Sequence, residues 1–203
     1  MYIIIACLLV TLSLILINVP ALNPFRERHK RTFEFFISLI STFTGFFVAL
    51  SLNTILLEVN QKKNLVKLLS ATNLSIESSE MRTKGMYLNP AQKGADLGKI
   101  LHDAPVEMPK LYSNMQNNSL VSDYFSSNAF QAYILCSDNM QTFVKHSNVT
   151  DVPDEKKIEI LNKYLKYLDL AKQINNLEIS KLNGNISQSA EDEQIQKLTK
   201  QLQ

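Results

Sequence analysis

The run from Phe33 to Leu57 constrains this chain more than any other stretch. Apart from Glu34 near its start it carries no charge. Its 25 residues, wound as an α-helix, rise about 38 Å, enough to cross a hydrocarbon core of roughly 30 Å. Ser41, Gly45, Ala49 and Asn53 recur at every fourth position, which places all four on one helical face. Lipid gives apolar side chains no reason to associate, so spans pack through close backbone approach and polar contacts. Ser41, Gly45 and Ala49 make two overlapping small-xxx-small steps. Asn53 extends the face with an amide that can hydrogen-bond across a helix pair. Phe36, Phe43, Phe47, Leu50 and Leu57 form the bulky opposite side. The stripe is therefore expected to be a helix-contact face. Its partner is either the first apolar run of the same chain or the second run of another copy.

That first run, Tyr2 to Val19, is also free of charge and about as long as a span requires. Val19 and Ala21 would suit a signal-peptide cleavage site, but the basic n-region is missing. The two runs together predict a transmembrane hairpin, with spans at 2–19 and 33–57 and a connector at 20–32. Pro20 and Pro24 stop the first helix. Arg26, Arg28, Lys30 and Arg31 then crowd the connector. Basic residues in short loops stay cytoplasmic, because carrying them across a membrane is costly. The connector is thus expected to be cytoplasmic, with the C-terminal part outside the cytoplasm, in a plasma or bacterial inner membrane. The same four cations are a candidate contact for anionic headgroups. Lys62, Lys63 and Lys67 flank the other end of the second span and pull toward the opposite orientation.

Composition sharpens the picture beyond the spans. Of 203 residues, 5 are Gly and 6 are Pro. Few turn-formers and many Leu, Ile, Lys, Gln and Glu favour helices, so the fold class expected is all-α. After Glu58 the positive and negative charges nearly cancel. Nucleic-acid binding would want a basic face, and none is visible. The two cysteines, Cys7 and Cys136, cannot meet if the first run spans a membrane, so no disulfide is expected.

The expected division is a hairpin at 1–58, a helical extramembrane domain at 59–186, and a polar helix or tail at 187–203. No Gly or Pro interrupts Glu58 to Arg82, and Val59, Leu65, Leu69, Thr72 and Ile76 keep helical spacing. Lys84-Gly85 is the expected stop. Asn89-Pro90 then reads as a helix start, running to about Leu101. Short elements follow near Leu111 to Met115 and Leu120 to Phe125. Ser126, Ser127 or Asn128 caps a helix with Phe130, Tyr133, Ile134, Met140 and Val144 on one face. Asp151 is the expected cap of the longest soluble helix, which ends before Gly184. Its apolar positions, among them Ile158, Leu161, Leu165 and Leu168, drift off strict heptads. A bundle is expected there rather than a coiled coil. Ser189 is the expected start of the last, very polar helix.

Catalytic chemistry finds no foothold. His29, His102 and His146 are far apart, with no Cys or His at metal-ligand spacing. Gly94 to Lys99 resembles a phosphate loop only loosely: the spacing is one short and Ile100 stands where Ser or Thr is needed. Asn73, Asn117, Asn148 and Asn185 open glycosylation triplets of a kind an Asn- and Ser-rich chain generates by chance. No catalytic, cofactor or metal site is expected. The function expected is a non-enzymatic, membrane-anchored interaction, scaffold or sensor module. Its expected partners are the bilayer and either itself or another membrane protein. The alternative is a membrane-acting effector, a toxin or defence protein, that oligomerises through its second span.

Overall fold

The computed structural model describes residues 2–19 and 23–200, and every regular element among them is helical. The chain divides into two compact units, Met1–Gln61 and Lys62–Gln203.

The first unit holds α1 (Tyr2–Asn18), α2 (Asn23–Arg28) and the opening part of α3 (Lys30–Arg82). Among the described residues one helix, Lys30–Gln92, is long and apolar enough to cross a membrane. The expected pair of spans is thus not matched by a pair of such helices. α1 closes after 17 residues, at the short edge of what a span needs. The connector also departs from expectation, since α2 lies within it and Lys30 and Arg31 already belong to α3.

Hydroxyls in the apolar part of α3 are turned back onto their own helix. Thr42 donates to the Ser38 carbonyl at 2.9 Å, Thr44 to Ile40 at 2.8 Å, Ser51 to Phe47 at 2.8 Å and Thr54 to Leu50 at 2.9 Å. In α1, Thr11 and Ser13 do the same toward Leu8 and Leu9. A polar group in hydrocarbon must find its partner within the protein, and bonding to a carbonyl three or four residues back supplies one without a second chain.

The second unit packs around the later part of α3. Leu65, Leu69, Thr72 and Ile76 are completely buried, as their spacing predicts, whereas Val59, which shares that spacing, is exposed. The expected stop at Lys84-Gly85 does not occur. α3 passes directly into a π-helical turn, Thr83–Leu88, in which the Asn89 amide reaches the Lys84 carbonyl five residues back. Gly85 keeps a negative φ and the chain stays helical through it. Asn89-Pro90 consequently starts no new helix but continues this one as α4 (Asn89–Gln92). The break comes at Gly94, whose φ of 87° is a left-handed conformation that suits glycine. Asp96 then caps α5 (Leu97–Asp103) by accepting from the Lys99 amide at 2.9 Å.

α6 (Lys110–Met115) and α7 (Ser119–Tyr124) are single turns or little more, the second capped by Asn118. α8 (Ser127–Ser147) starts from Ser126, whose hydroxyl accepts from the Ala129 amide at 3.0 Å. α9 runs Asp154–Leu182. Its cap position is Pro153, not Asp151, so no side chain caps it; Asp154 and Glu155 in the first turn face the positive end of the helix instead. Its C-terminus closes as a Schellman motif around Gly184, φ 76°: the Gly184 amide meets Lys181 and the Asn185 amide meets Ser180. α10 (Gln188–Lys200) begins one residue before the expected Ser189, with Ser187 rather than Ser189 accepting from the Ala190 amide at 3.2 Å. It packs on α8 and α9, with Glu191 and Ile195 buried.

Four buried tyrosines organise the core. Each carries a hydroxyl that must find an acceptor, and each finds a backbone carbonyl. Tyr112 donates to the Tyr133 carbonyl at 3.1 Å, and Tyr133 donates back to that of Tyr112. Their rings stack with centroids 4.3 Å apart. Tyr87 donates to Pro105 at 3.3 Å and Tyr164 to Glu107 at 3.0 Å. Replacing Tyr133 with Phe leaves the Tyr112 carbonyl without its donor in the core. The expected cost is about 1–3 kcal/mol, read as a lower midpoint in chemical denaturation.

Candidate functional site

A cleft lies where α3 turns into the π-helix. It encloses about 330 Å³. Ser75, Ser78, Ser79 and Arg82 reach it from α3, and Thr83 and Tyr87 from the π turn. The facing wall is the strap from Val106 to Pro109, with Lys110 at the start of α6. π turns are rare and cluster at functional positions, because the extra residue per turn re-aims the side chains around it.

The strap is held from three sides. Tyr87 and Tyr164 anchor Pro105 and Glu107 as described. Asn148 grips Val106 twice, accepting from its amide and donating to its carbonyl, both at 3.0 Å. An extended segment so bound is a preformed wall, so a ligand would not have to order it on entry.

Electrostatics in the cleft favour an anion. Arg82 and Lys110 face one carboxylate, Glu107, which stands 4.0 Å from the Arg82 guanidinium. Both partners of that pair are substantially exposed, so solvent screens it and it holds Arg82 only weakly. Burial raises the Tyr87 phenol above its ordinary range, and Arg82, which hydrogen-bonds it, pulls it back. Thr83 is committed to the Ser79 carbonyl at 2.7 Å, and Ser79 hydrogen-bonds Tyr164. Ser75 and Ser78 have no hydrogen-bond partner among the described residues.

The residues singled out by sequence stand elsewhere. Ser41, Gly45, Ala49 and Asn53 are all exposed. A methyl group added at Gly45 would meet nothing within 4 Å, so no neighbour exploits the missing side chain. Within the first unit, α1 and α3 share an apolar cleft lined by Cys7, Val10 and Thr11 on one side and Val48, Ser51, Leu52 and Ile55 on the other. None of the four stripe residues lines this cleft. Arg28, Lys30 and Arg31 are exposed, while the Arg26 side chain lies outside the described residues. Glu34 pairs at 4.0 Å with Lys30, four residues back.

Among the described residues no three His, Cys, Asp or Glu side chains gather as metal ligands. Cys136 is wholly buried, and burial pushes its thiol up to about 12, which leaves it unreactive. Asn73 donates to Asn176 at 2.8 Å and accepts from Asn175 at 2.9 Å, so its amide ties α3 to α9. Sequence reasoning missed the π-turn cleft. Its serines are spaced as ordinary helix-surface residues, and its strap reads as a proline-rich turn.

Compared with known proteins, the chain matches no protein family, no curated protein and no solved structure.

Proposed function

We propose that this chain is a non-enzymatic, membrane-anchored sensor and interaction module. One observation carries the reading. α3 is a single helix whose first part exposes apolar residues with their hydroxyls bonded back, and whose second part buries a regular stripe in a folded bundle. An aqueous surface has no use for the first part, and a bilayer does. α1 is proposed as a second, short span, with the basic connector cytoplasmic and the bundle on the other side. The stripe then assembles copies of the chain or recruits another membrane protein. Its exposure favours this, and so does the Asn53 amide, which has no hydrogen-bond partner among the described residues.

The π-turn cleft is the proposed sensing site, and its charge selects a small oxyanion. Inorganic phosphate, titrated against the full-length protein in detergent, is expected to raise the thermal midpoint. Arg82→Gln should remove that response while leaving the midpoint without phosphate nearly unchanged. No response at millimolar phosphate ends the sensing half of the reading. Membrane insertion is tested separately, by alkaline carbonate extraction and by reporter fusions in the connector and at the C-terminus. Release of the chain by carbonate would refute the anchor.

The same exposed stripe supports a second reading, a membrane-acting effector that oligomerises and permeabilises the bilayer. Dye leakage from vesicles separates the two. The module leaves them sealed, whereas the effector empties them.

A further inference from the structure

We propose that α10 is a proton-dependent latch, docked on α8 and α9 while a proton is held between Glu178 and Glu191 and released when that proton leaves. Glu178 on α9 and Glu191 on α10 are both completely buried. A single ammonium serves them: Lys181 Nζ lies 2.6 Å from one Glu178 oxygen and 3.2 Å from one of Glu191. With both carboxylates ionised the cluster carries a net negative charge away from water, which folded proteins avoid by taking up a proton. Beyond the Lys181 ammonium, neither Glu191 oxygen has a donor among the described residues. A proton shared with Glu178 supplies one and neutralises the cluster in one step.

The surroundings offer no substitute. The α7–α8 junction contributes backbone: the Ser126 amide donates to Glu178 at 3.2 Å and the Tyr124 carbonyl accepts from Lys181 at 3.2 Å. Lys62 of α3 stands 6.0 Å from the centre of the Tyr124 ring. Asp192, next along α10, adds another carboxylate, with one oxygen buried and without a donor. Burial raises the Glu178 carboxyl, the neighbouring Glu191 carboxyl raises it further, and Lys181 opposes both, leaving it at about 8. In the released state the ordinary value is 4.5. The proton therefore favours docking fully below that lower value, and its contribution is lost as pH climbs through the upper one.

Hydrogen exchange on the full-length protein in detergent tests this, with rates corrected for intrinsic pH dependence. Between pH 6 and 8 the opening of Gln188–Lys200 is expected to grow by up to about tenfold per pH unit, the slope of one linked proton. Amides in the middle of α9 should not follow. Glu191→Gln leaves Glu178 and Lys181 as a neutral pair, so the slope should vanish and α10 should stay protected at pH 9. Glu178→Gln should flatten the slope equally. Protection of α10 in the unaltered protein that does not change from pH 6 to 9 overturns the proposal. So does a slope that survives in either glutamine variant. If one variant fails to fold, the other and the unaltered protein still decide.

Discussion

Cutting Leu161 back to Ala is expected to cost the bundle about 2–5 kcal/mol, the range for deleting a buried leucine that its neighbours cannot refill. Leu161 is completely buried on α9, in the core that α8 and α9 close between them. Both helices are long and their ends are fixed, at α8 by the Ser126 cap and at α9 by the Gly184 motif. They cannot easily close a void, so the cost should fall in the upper half of the range. Denaturant unfolding followed by near-ultraviolet tyrosine signal reads it out. A loss under 1 kcal/mol would mean the α8–α9 interface is not the centre of the core.

Replacing Lys181 with Met is expected to be as damaging at neutral pH, about 3–5 kcal/mol, because it removes one partner of a buried charge cluster and strands the rest. Lys181 is largely buried, and Glu178 and Glu191 share it as their counter-charge. The deficit should depend on pH in a defined direction. Glu178 already holds its proton above the ordinary range against the pull of Lys181, so without that cation acid restores stability as its carboxyl becomes neutral. The gap between Lys181→Met and the unaltered protein should therefore narrow from pH 8 toward pH 5. A deficit that stays constant over that interval would assign the loss to packing of the lysine stem alone.

Periodicity made much of this fold legible. Of the five positions whose spacing announces a buried face, Leu65, Leu69, Thr72 and Ile76 are buried and Val59 is exposed. Ser126 and Gly184 are strong local signals and do what their chemistry suggests. The failures share a cause. Gly85 and Asn89-Pro90 are helix punctuation, yet the backbone continues through both as a π turn, because tertiary packing of Thr83, Tyr87 and Leu88 outweighs local preference. Asp151 lies outside a helix whose cap position Pro153 takes without a capping side chain, and Ser189 gives way to Ser187. Nothing in the sequence locates the cleft. It exists because Tyr87, Tyr164 and Asn148 hold the strap, and these lie far apart along the chain. Glu178 and Glu191 are invisible for the same reason, since each reads as a surface residue on a polar helix until their two helices meet.

The paired tyrosines also bear on how the bundle can move. Tyr112 and Tyr133 each bond to the other's backbone, so the two links form and break together. A slide of α6 along α8 by even one residue forfeits both at once, with no intermediate setting to rest in. Motion there is all-or-none, and the segment that walls the cleft through Pro109 inherits that stiffness at its far end.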